Sequence, residues 1–219
     1  MLKRISFLLL LLAFSCSTEE SAEEGGDAKN PIYLDSNGVT IKAHSWAEIG
    51  DTGVINGKTY EIVDQKKLEE MACSMEGGGN PCGDFSKVVT SRITSLNNIF
   101  AQRSEFNQDI SHWDVSNVTD MAGLFYANAK FNQDLSYWDV SKVTTMDAMF
   151  SYCSVYNNNI SKWNTSNVTI MQLMFEQAKV FSQDLSSWCV EKIKSEPSTF
   201  TTNDDWKNSH KPKWGEPCN

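Results

Sequence analysis

The sequence is short of positive charge: its 219 residues carry 19 Lys and Arg against 28 Asp and Glu, for a net charge of −9. A phosphate backbone needs a basic footprint, so nucleic acid is excluded as a partner. Catalytic patterns are also missing. No Ser-His-Asp order, glycine-rich phosphate loop or paired-carboxylate site stands out. The three His are scattered, and no Cys or His pair has metal-ligand spacing, so neither metal nor cofactor is expected. The apolar run Ile5 to Phe14 is too short to span a bilayer.

That run reads instead as the core of an export signal. Lys3 and Arg4 form its positive flank, and Ser15-Cys16 follows it. The ending Leu12-Ala13-Phe14-Ser15-Cys16 resembles a bacterial lipobox, which would make Cys16 the lipidated first residue after removal of 1–15. A plainly secreted protein cleaved nearby is the alternative. Residues 16–30 then form an acidic tether, with Glu19, Glu20, Glu23, Glu24 and Asp27 opposed only by Lys29. Low hydrophobicity and like charge predict disorder there. Loss of Lys3 and Arg4 takes the net charge to −11, so contact with a membrane is expected only through the lipid.

Residues 31–84 read as a small β cap with a helix. Asp35-Ser36-Asn37-Gly38 and Asn56-Gly57 are turn signals between strand-forming flanks. Asp64 suits the N-cap of a helix whose apolar face is Leu68, Met71, Ala72 and Met75.

From about 85 to 200 the chain is periodic. Trp113, Trp138, Trp163 and Trp188 recur every 25 residues, as do Phe106, Phe131, Tyr156 and Phe181. Phe100, Phe125, Phe150, Phe175 and Phe200 keep the same interval, and so do Met121, Met146 and Met171. A unit of this size cannot bury its own apolar face, so copies must stack. Asp109 to Trp113 suits a short strand, and Met121, Leu124 and Phe125 suit one face of a brief helix. The expected fold class is an α/β repeat: a right-handed leucine-rich-repeat-like solenoid of about four and a half turns, with short parallel strands and short helices. Residues 201–219 form a C-terminal cap.

The runs Phe131-Asn132-Gln133-Asp134-Leu135-Ser136-Tyr137-Trp138-Asp139-Val140-Ser141-Lys142-Val143-Thr144 and Met146-Asp147-Ala148-Met149-Phe150 resemble BspA-like surface proteins of bacteria. These carry a leucine-rich-repeat-like unit, also abundant in mycoplasma surface proteins. The flanks Tyr33 to Lys42 and Lys211 to Gly215 look like those of the Bacteroidetes lipoprotein members. The resemblance implies surface display from an outer membrane and adhesion to host proteins, with no catalytic residues.

Six Cys are present, and export permits disulfides. With Cys16 assigned to lipid, Cys73–Cys82 and Cys189–Cys218 are the expected bridges, and Cys153 a buried free thiol. The second bridge would pin the C-terminal tail over the last coil. His112, Tyr137, Lys162 and Ser187 share one slot of the repeat, and a slot that tolerates all of these must face solvent or a ligand. They are the candidate ligand-binding residues. Stacked Asn107, Asn132 and Asn157, with Asp109, Asp134, Asn159 and Asp184, could hold calcium, but satisfying backbone N–H groups at turns is the stronger reading. The expected function is a non-catalytic binding or adhesion module whose partners are proteins or glycans. The alternatives are a carbohydrate-active enzyme or its accessory and a structural spacer in an envelope assembly.

Overall fold

The computed structural model describes residues 29–72 and 83–218. The signal segment, most of the acidic tether, and with them Cys16, Cys73 and Cys82, lie outside the described residues.

Two antiparallel hairpins open the described chain. Strands β1 (Ile32–Leu34) and β2 (Ile41–Ala43) pair with Ile32 opposite Ala43. Their loop is closed by the Asn37 side chain, whose Oδ1 accepts from Val39 N and Thr40 N at 2.9 Å. Strands β3 (Thr52–Ile55) and β4 (Lys58–Ile62) pair through Asn56-Gly57. Both turn residues have positive φ, 50° and 76°, as a two-residue hairpin with a type I′ turn requires. Helix α1 (Gln65–Ala72) follows, its first turn capped by Asp64 Oδ1 accepting from Lys67 N at 2.8 Å. Its Leu68 and Ala72, one turn apart, are buried. Strand β5 (Val88–Val89) then joins β4 in parallel, which ties the cap to the periodic region.

From residue 90 onward, successive segments 25 residues apart lie in register against one another. Isolated parallel bridges link Ser95 to Asp120, Asp120 to Thr145 and Thr145 to Ile170. Met121, Gly123, Phe125 and Ala127 donate their N–H groups to Thr145, Asp147, Met149 and Ser151 at 2.8–3.0 Å. Met146, Ala148, Phe150 and Tyr152 repeat this toward the next coil.

Where a short strand and a short helix are expected within each repeat, turns stand among the described residues. Asp109, Asp134, Asn159 and Asp184 each accept from the N–H two residues on, at 2.9–3.0 Å. Asp114, Asp139 and Asn164 do the same at 3.1–3.2 Å. Two such side-chain turns in close succession leave no run for an extended strand. The helix fails for a different reason. Residues 98, 123, 148 and 173 have positive φ, as do 102, 127, 152 and 177. With left-handed residues four apart the N–H groups alternate: Leu124 and Tyr126 close i→i+3 turns on Met121 and Gly123, while Gly123, Phe125 and Ala127 donate to the next coil. Residues at i, i+3 and i+4 still face inward, so the apolar spacing imitates a helix.

The core is a set of aromatic columns. Within each coil two rings lie face to face: Phe100 on Phe106 at 3.8 Å, Phe125 on Phe131 at 3.8 Å, Phe150 on Tyr156 at 4.3 Å, Phe175 on Phe181 at 4.1 Å. Between coils the same rings stack at 5.6–6.0 Å, within the range that offset aromatic pairs favour. The Trp column is buried as well. Trp113, Trp138, Trp163 and Trp188 each donate Nε1–H to a carbonyl of the preceding coil or the cap, at 3.0–3.2 Å. Neighbouring indoles in this column lie 6.1–6.3 Å apart, wider than the roughly 4.8 Å between adjacent strands of a sheet.

Candidate functional site

The polar residues of the repeat fall into two kinds. Most are committed to neighbours. Asn107 and Asn157 accept from the backbone N of Asn132 and Ser182, one coil on, at 2.9 and 3.0 Å. Gln133, Asn158 and Gln183 donate to the carbonyl and side chain of the Asn in the preceding coil at 2.8–3.0 Å. Thr119, Thr144 and Thr169 donate to the carbonyl of the preceding Thr at 3.0–3.3 Å. These ladders give the Asn stack a backbone role. Among the described residues no group of three or more His, Cys, Asp or Glu is placed to hold a metal ion.

The second kind lies beside the Asx turns and stays open. Tyr137 is 48% exposed, and Lys162 and Ser187 are exposed in the following coils. Lys162 borders a groove of about 270 Å³ with Asp134, Ser136, Asn158 and Asn159. Ser187 donates to the Ser161 carbonyl at 3.0 Å and borders a second groove of about 290 Å³ beside Cys189, Lys213 and Cys218. Lys142 and Lys192, five residues further along each coil, each reach an Asn of the preceding coil at 2.7 Å. The open strip therefore presents one aromatic ring, amines, hydroxyls and carboxamides, with Asp134 as the carboxylate lining its central groove.

His112 is corrected. It shares the slot of Tyr137, Lys162 and Ser187, yet it is only 8% exposed. Its Nε2 lies 3.1 Å from the Val88 carbonyl, its ring packs 5.4 Å from Tyr60, and its own carbonyl accepts from Ile41 N at 2.9 Å. The slot is open in mid-stack, but at the first coil the β cap covers it. Burial is the main cause that holds the His112 pKa below the ordinary value, with the Val88 contact opposing.

The expected 189–218 bridge is present, with Cα atoms 5.3 Å apart. Cys153 is a buried free thiol that donates to the Phe125 carbonyl at 3.0 Å, and desolvation pushes its pKa far above the ordinary thiol range. It is inert rather than nucleophilic.

A third groove was not anticipated. It lies where the outer face of the β1–β2 hairpin meets the first coils, and includes Tyr33, His44 and Arg92. The signal was available: Tyr33 pairs with Lys42 across the hairpin, and period-two alternation puts His44 on the same face.

No helix among the described residues is long and apolar enough to cross a membrane. A family model described as "Mycoplasma protein of unknown function, DUF285" matches residues 66–188 and 94–214. No curated protein and no solved structure matches the chain.

Proposed function

The chain belongs to the DUF285 family, and from that premise we propose that it is a non-catalytic binding module displayed at a cell surface. The reading comprises a right-handed leucine-rich-repeat-like solenoid of BspA-like repeats over about 85–200, a lipid on Cys16, and a tether that holds the stack off an outer membrane. Its ligands are proteins or glycans at that surface.

One observation carries the proposal. Along the stack, the ladder and aromatic positions repeat in kind, while the slot holding Tyr137, Lys162 and Ser187 changes in size, charge and hydrogen-bonding capacity at every coil. A surface whose scaffold is uniform and whose exposed slot varies is suited to recognition. The strip is small, so single copies bind weakly and many anchored copies act together.

The test is a binding screen of the purified protein against immobilised matrix proteins and glycans, repeated with Tyr137→Ala/Lys162→Ala. Loss of binding in the folded double variant is expected; retained affinity removes the strip from the proposal. Turnover of any glycan by the purified protein would favour an enzyme instead. Anchoring is tested separately: Cys16→Ser should abolish lipid labelling and release the protein from membranes.

A further inference from the structure

The cap and the first coils border an open groove of about 490 Å³ that the repeat does not require. One wall is the outer face of the β1–β2 hairpin. Tyr33 and Lys42 are cross-strand partners, and His44 follows on the same face. Tyr33 stays 39% exposed although its ring lies 4.7 Å from His44. His44 in turn stacks near Trp46, 5.5 Å away with planes 13° apart, and Trp46 is 44% exposed. Tyr33 and His44 thus present two rings to the groove, with Trp46 beside them outside its lining.

The opposite wall is polar and held in place. Asp114 accepts from Ser91 Oγ at 2.6 Å through one oxygen, and from Ser116 N and Oγ at 3.2 and 2.7 Å through the other. Arg92 Nη2 donates to the carbonyls of His44 and Ala47 at 3.0 Å each, which fixes the hairpin end against the coil. Lys42 Nζ sits 2.8 Å from Asp35 Oδ2. The Asp35 carboxylate raises the Lys42 pKa and is itself lowered by that pairing.

These features select among ligand chemistries. An anionic ligand would need uncompensated positive charge, but Lys42 faces Asp35, Arg92 is committed to main-chain carbonyls, and Asp114 shares the wall. An extended peptide would need a free strand edge, but β2 already donates Ile41 N to the His112 carbonyl and Ala43 N to Ser91 Oγ. A neutral saccharide fits what is left. A pyranose has an apolar C–H face that packs on aromatic rings and a rim of hydroxyls that pair with fixed carboxylate, amine and hydroxyl groups. The volume is in the range of small-ligand sites.

We propose that the junction groove between the β1–β2 hairpin and the first coils is a binding site for a neutral oligosaccharide. Tyr33 and His44 supply the stacking wall, and the remaining N–H groups of Lys42, the Ser45 hydroxyl and the Asp114 carboxylate pair with hydroxyls. The site is separate from the Tyr137 strip and does not depend on it.

The test titrates the full chain with neutral trisaccharides of different linkage: maltotriose, cellotriose, mannotriose and chitotriose. Calorimetry is the readout. At least one sugar should bind. Tyr33→Ala should weaken it by about tenfold or more, and Tyr33→Phe, which keeps the ring, should stay within about threefold. Val155→Ala, at an exposed residue outside the groove, should leave it unchanged. The absence of binding by all of these sugars at millimolar concentration, or unchanged binding in folded Tyr33→Ala, would overturn the proposal.

Discussion

The indole of Trp206 stands edge-on to the ring of Phe181, with centroids 5.1 Å apart and planes at 86°. It meets Phe175 in the same way, at 5.4 Å and 80°. At the other end of the column Phe85 stands at 84° to Phe100 and 87° to Phe106. Between these ends, like rings in successive coils are close to parallel. A perpendicular ring presents its positive edge to the π face of the last stacked ring, and offers no parallel face for another coil. The column is thus closed at both ends.

Trp206 is buried and donates Nε1–H to the Gln183 carbonyl at 2.9 Å. Trp206→Ala should therefore cost about 3–5 kcal/mol. The loss should be local at first, because an end coil has a single neighbour. Hydrogen exchange should show protection falling across 175–214 while 94–150 keep theirs. Uniform loss over the whole stack would mean that Trp206 is not an end cap.

Tyr156 occupies a column otherwise held by Phe106, Phe131 and Phe181. Its hydroxyl is buried with no hydrogen-bond partner. Burial drives its pKa well above the ordinary phenol value, so it stays neutral. A buried hydroxyl without a partner costs about 1–3 kcal/mol. Tyr156→Phe should raise the urea midpoint by a corresponding amount with the m-value unchanged. A lower midpoint would show that the hydroxyl is satisfied in solution.

The 25-residue interval was legible because every copy places the same ring at the same depth, and no insertion disturbs the spacing from Trp113 to Trp188. The hairpin turns were legible because Asn56-Gly57 names its own backbone conformation. The identity of the elements inside each coil was not. Met121, Leu124 and Phe125 face inward at a spacing shared by a helix and by successive one-bond turns, and only the positive φ at Gly123 and Ala127 separates the two. Gly123 and Asn98 hinted at it, but their counterparts Ala148 and Leu173 did not. His112 was misread for another reason. A slot's tolerance reports on the middle of the stack, and what covers the first coil is a contact over long sequence separation, to Tyr60 and Val88.

The Cys189–Cys218 bridge closes a 29-residue separation. The chain-entropy relation assigns such a loop about 3–4 kcal/mol. Cys218→Ser should lower stability by an amount of that order and release the C-terminal tail, read as new cleavage after 200 under limited proteolysis. Non-reducing peptide mapping should recover Cys189 joined to Cys218 and Cys153 alone. Cys153, buried with its pKa pushed up, should resist alkylation until the chain is unfolded. Rapid labelling of native Cys153 would show that the coil around Asn128 and Tyr156 opens readily.

His112 predicts the pH dependence. Burial lowers its pKa in the folded state below the ordinary 6.5, and a neutral ring donates Nε2–H to the Val88 carbonyl. Once unfolded, the same side chain takes up a proton as pH falls through 6.5. Between that pH and the lower folded-state pKa the unfolded chain binds more protons, so stability falls as pH falls through this window. Above 6.5 the neutral form prevails in both states and no penalty applies. His112→Gln removes the titration while keeping a polar side chain under the cap. Urea midpoints at about pH 7.5 and pH 5.5 compare the two proteins while ordinary carboxylates stay largely ionised. The native chain should lose more stability on acidification than His112→Gln, and its β1–β2 hairpin should exchange first, because Ile41 N is bonded to the His112 carbonyl. Equal losses in both proteins would mean that the cap does not hold His112 neutral, and that the slot it shares with Tyr137 is open at the first coil as well.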